Sequence, residues 1–168
     1  MYPSPPAEWV KPVLAMWPRL ALDRRLKASP FVLGEDRRDF DRYVCNEYID
    51  AVFLLTAEVL HNVGMIETTA ELTAAGVFDT DSSAGVFEML TEEFGRIRTE
   101  LSELVPPPGW ERSHSFELQA VTKFKEGSAK SALGLITGDT DVINEASELI
   151  EEAGDLFTQA SAAAPASC

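Results

Sequence analysis

At 168 residues, with 45% hydrophobic and 25% charged side chains, the chain has the size and mix of one globular domain. Such a length buries roughly two-thirds of the surface its unfolded form exposes. The formal net charge of −14 argues against nucleic acid as a partner. It is unevenly placed: residues 1–42 carry a net +2 and residues 43–168 a net −16. An acidic body of this kind is either a solvated, solubilising surface or a recognition surface for a basic partner.

The first 34 residues read as an arm. Met1 to Pro6 is a Pro/Ser leader, and an apolar, basic stretch with Trp9 and Trp17 follows. Pro12 and Pro18 each remove a backbone donor, so short helical pieces are expected there and not one continuous helix. Trp9, Trp17, Arg24 and Arg25 are the candidate interaction residues. They form either a strap over the protein's own apolar surface or a segment that docks on a partner or a membrane surface.

A helical domain is expected over 35–161, with a low-complexity Ala-rich tail at 162–168. Its first helix should run over 35–63, stopped by Gly64, with Phe40, Val44, Tyr48, Ala51, Leu55 and Val59 on one face. Val52, Phe53 and Leu54 widen that face, so burial on most sides is expected at its middle. A separate short helix is expected over 66–75, ending at Gly76, then a loop with Ser82 or Ser83 as the next N-cap.

Three stripes at three-four spacing follow. Phe87, Leu90, Phe94, Ile97, Leu101 and Leu104 form the first, ended by Pro106-Pro107-Pro108-Gly109. Phe116, Ala120, Phe124, Gly127/Ser128, Ser131 and Leu135 form the second, stopped by Gly138. Ala146, Leu149, Ala153, Leu156 and Ala160 form the third, begun by Asp139-Thr140-Asp141. The fold expected is all-α: a four-helix bundle, mostly antiparallel, with a Pro-interrupted N-terminal helical arm. The short 137–140 connection makes the last two helices neighbours. Gly127, Ser128, Ser131 and Gly134 facing Ala146, Ala153 and Ala160 would either let them approach closely or leave room for a ligand.

Residues able to carry chemistry are few. Both histidines sit in Glu-x-x-His pairs, Glu58/His61 and Glu111/His114, the i, i+3 spacing of di-iron bundles. Alternating helices would separate the pairs, and the order of the glutamates differs from the ferritin-like one, so no metal site is expected. Asp79-x-Asp81-x-Ser83 opens like a calcium loop but has Ala84 at the sixth position and Leu90 at the twelfth. Asp139-x-Asp141 fails at Ile143. Cys45 and Cys168 make no disulfide framework, and Cys45 reads as a small buried hydrophobe.

No uninterrupted apolar run approaches a membrane span, Glu58 and His61 breaking the longest region, so no integral membrane segment is expected. No basic region followed by an apolar one opens the chain. A cytoplasmic location is the default, with a trimmed secreted or lipid-anchored chain as the other reading. The reading in function is a non-enzymatic protein–protein interaction or structural module without cofactors, with a protein partner or self-association. The alternative is a small-ligand or metal-binding bundle using the Glu-x-x-His pairs.

Overall fold

The computed structural model describes residues 34–166, with side chains from residue 41 onward. Trp9, Trp17, Arg24, Arg25 and the rest of the arm before residue 34 lie outside the described residues. Helix makes up 87% of what is described, and no strand occurs among those residues. Among the described residues four helices follow one another: α1 (Gly34–Ala74), α2 (Thr80–Glu103), α3 (Glu111–Thr137) and α4 (Thr140–Ala163).

Each helix end has a local cause. Asp79 caps α2, its Oδ1 accepting from the Ser82 backbone N–H at 2.7 Å. The cap therefore lies before the serines expected to supply it. Ser83 is instead inside the helix and buried, its hydroxyl 2.6 Å from that of Thr73 and 2.9 Å from the Asp79 carbonyl. Gly138 stops α3 at φ +67, and Asp139 then accepts from the N–H groups of Asp141 and Val142 to start α4. Short α2–α3 and α3–α4 connections end where the prolines and Gly138 dictate.

The first helix corrects the expectation. It is one element of 41 residues that passes through Gly64, with no separate helix after it. A mid-helix glycine costs about 1 kcal/mol relative to alanine, less than the burial of Val59 and Ile66 on either side supplies. The stop comes at Gly76, where the second piece is expected to end: at φ +68, its N–H bonds the Thr73 carbonyl and Val77 N–H bonds that of Leu72. Only glycine takes this left-handed position freely.

Two compact units divide the chain between Ala51 and Val52, inside α1. In the first, Cys45, Tyr48 and Ala51 are buried on one face of the helix. Cys45 is buried, as expected, but it is also disulfide-bonded, which corrects the expectation that the two cysteines make no disulfide. Spacing in sequence carries no information on such a pairing, because the fold decides which sulfurs meet. The chain's other cysteine, Cys168, lies outside the described residues.

The second unit is a bundle of consecutive antiparallel helices. Arg96 of α2 pairs with Glu58 of α1 while Ser83 meets Thr73, so these two helices run in opposite directions. Arg98 donates to Thr122, and the Phe94 and Phe124 rings stack at 5.3 Å, giving α2 and α3 the same relation. Ser113 at the start of α3 donates to the Ala160 carbonyl near the end of α4 at 2.8 Å. All six apolar residues of the first stripe, Phe87 to Leu104, are buried.

Only the alanines of the last stripe are fully buried: Ala146, Ala153 and Ala160. Leu149 and Leu156 are half-buried at its edge. Small residues bring the two backbones so close that the flanking leucines straddle the contact and do not enter it. A Cβ on Gly127 would lie 2.7 Å from Ile150 Cγ1. Close approach is thus the outcome at Gly127 and Gly134.

Candidate functional site

Phe53 and Leu54, expected in the core, point outward. Val52, Leu55 and Val59 take the buried face of α1. The 3.6-residue period places Phe53, Ala57 and Leu60 on the opposite face, flanked by Leu54 and His61. Phe53 is 70% exposed, Leu60 57% and Leu54 44%. The stretch Asp41–Ala74 is, by length and composition, long and apolar enough to cross a membrane, with a third of its most apolar window buried. The inward side is studded with polar groups: Asn62 and Thr69 are buried, and Glu58 holds Arg96. Arg96 also reaches Glu93 at 3.0 Å and Glu100 at 2.7 Å, so one guanidinium gathers three carboxylates from two helices.

A second feature lies nearer the Gly76 end of α1. A cleft of about 540 Å³ opens between α1, the start of α2 and the α3–α4 hairpin. Its lining is largely apolar: Ile66, Ala70, Phe87, Leu135, Ile143 and Ile150 border it, with Ala70 at the exposed rim. Ala70, Ser131 and Ser147 leave the space because their side chains are too short to fill it. Glu67 and Glu151 line it as well, and no lysine or arginine does. The small residues of α3 therefore divide by face. Gly127 and Gly134 admit α4, whereas Ser131 borders the cleft.

The Glu-x-x-His pairs are not drawn into one cluster. Among the described residues, no three His, Cys, Asp or Glu side chains group as a metal site would require. His61 is exposed on α1 and Glu58 is committed to Arg96. Glu111 accepts from the Gly109 backbone N–H at 2.8 Å, while His114 is buried in the first turn of α3, where burial lowers its pKa. Antiparallel register sets His61 level with the middle of α2 and His114 past its C-terminal end, roughly 16 Å apart along the bundle. The two calcium-like starts are helix caps. Hydrogen bonds from Ser82 hold the Asp79 carboxyl below its usual range.

Glu117 was not foreseen. It lies on α3 between His114 and Val121, with Oε2 buried and without a hydrogen-bond partner. Burial pushes its pKa up to about 7. The only trace of this in the sequence is its apolar neighbours Phe116 and Leu118. Ser128 Oγ is likewise buried without a partner.

Comparison with protein families, with characterised proteins and with solved structures finds no match for this chain.

Proposed function

We propose that the protein is a non-enzymatic interaction module whose outward α1 face, Phe53–Leu54–Ala57–Leu60, receives a basic amphipathic segment of a partner protein. One observation carries this reading: three large apolar side chains within eight residues share a solvent-facing helical surface. Scattered exposed leucines are ordinary, whereas clustered ones at helical spacing are the anchor pattern of helix-in-groove and helix-on-helix recognition. Charge selects the partner. Two copies carrying −14 each repel one another, while a basic segment is drawn to the acidic surface.

The reading of α1 as a bundle helix, and not a membrane span, is supported by its inward Glu58–Arg96 pair and buried Asn62. In hydrocarbon such groups are costly. The disulfide at Cys45 supports an oxidising compartment over the cytoplasmic default.

Titration of isotope-labelled protein with a designed helical Leu/Lys peptide tests the function. Backbone amide shifts should saturate and map to residues 53–61, and a Leu/Glu peptide with the same apolar face should produce none. Shifts spread over the acidic surface, or equal binding of both peptides, would refute it.

A further inference from the structure

We propose that the cleft between α1, α2 and the α3–α4 hairpin is a binding site for a small amphipathic cation, an apolar body bearing one amine or quaternary ammonium group. Its volume, about 540 Å³, falls in the range of small-molecule pockets. Half-buried Leu135, Ile143 and Ile150, backed by buried Ile66 and Phe87, offer an apolar wall that gains by removal from water. Glu67 and Glu151 supply the polar recognition. Neither carboxylate is held by a lysine or arginine among the described residues, in contrast to Glu58, Glu145 and Glu152, which are. An anion meets two carboxylates and a chain of charge −14; a neutral molecule gains the apolar contact alone; a cation gains both.

This site stands apart from the outward α1 face in residues and in occupant, so each is tested without the other. The probes are decyltrimethylammonium, decanol and decanoate, each below its micellar concentration and followed by amide shifts and calorimetry at neutral pH. The cation should bind one to one, with shifts at Ala70, Ser131 and Ile143. It should bind roughly fivefold to tenfold more tightly than decanol, and decanoate more weakly than either. In Glu67→Gln/Glu151→Gln the advantage of the cation over decanol should vanish while decanol binds as before.

Ala70→Trp and, independently, Ser147→Trp place an indole in the cleft from exposed positions that tolerate bulk. Each should abolish binding of all three probes with the helical circular dichroism unchanged. The proposal is overturned if the three probes bind alike, if the cation binds many sites without saturating, or if binding survives either tryptophan. It is overturned equally if the cleft takes the Leu/Lys peptide and not the amphiphile.

Discussion

Ile143 sits against the bare backbone of Gly134: a Cβ there would lie 2.6 Å from Ile143 Cγ1 and 3.1 Å from the Ile143 backbone nitrogen. The Asp139 carbonyl oxygen would be 3.2 Å away, so the obstacle is not only a flexible side-chain end. Gly134 and Gly127 thus set the distance between α3 and α4, and with it one wall of the cleft.

Gly134→Ala is therefore expected to destabilise the protein by about 1–3 kcal/mol in urea unfolding, the cost of forcing bulk into a packed contact. Gly154→Ala is the control. Nothing lies within 4 Å of its added Cβ, and in a helix interior the change should stabilise by roughly 0.5–1 kcal/mol. Equal effects at both positions would refute the close approach.

Ala153 is completely buried while Leu149 is half-buried, so the vulnerable position in α4 is the alanine. Ala153→Asp should abolish cooperative thermal unfolding by placing a charge against α3 without a partner. Leu149→Asp should leave a folded protein of lowered melting temperature. The reverse order would show that the leucines, not the alanines, face α3.

Glu117 sets a pH dependence. Its carboxyl titrates near 7 when folded against a reference of 4.5, so the folded chain holds this proton more tightly. For this group stability is greatest below pH 4.5, falls as pH rises from 4.5 to 7, and stays lower above that. The full loss is on the order of 3 kcal/mol. Glu117→Gln should recover most of it above pH 7 and little at pH 4.5. The difference between the two proteins isolates Glu117, since buried His114, which favours the opposite direction of pH, is common to both. A pH-independent difference would contradict its burial as an acid.

Cys45 should be protected from alkylation in the unfolded, unreduced protein and become reactive on reduction, as peptide mass mapping would show. Labelling before reduction would mean that it carries a free thiol.

The stripe from Phe87 to Leu104 was legible because its period matches the helix and its residues are unambiguous in size. Asp139 and Gly138 were legible because cap and stop chemistry is local. Gly64 misled, since a glycine stops a helix only where the backbone turns left-handed, and that turn falls at Gly76. Phe53 misled more, with consequences for function. Five consecutive apolar residues, Ala51 to Leu55, show no face of their own, and only the placement of Val52 and Leu55 inward leaves Phe53 and Leu54 outside. The cleft was invisible for another reason. Its lining comes from all four helices, so no local spacing encodes it.

The exposed α1 face is tested most directly by calorimetric titration of the Leu/Lys peptide into Phe53→Ser/Leu60→Ser, which removes the apolar anchors without adding charge, with the melting temperature measured alongside. Both side chains face solvent, so the melting temperature should stay within a few degrees of wild type while affinity falls at least about tenfold. Unchanged affinity in the double variant, or a collapse of the melting temperature showing that these residues belong to the core, would contradict the docking role assigned to this face.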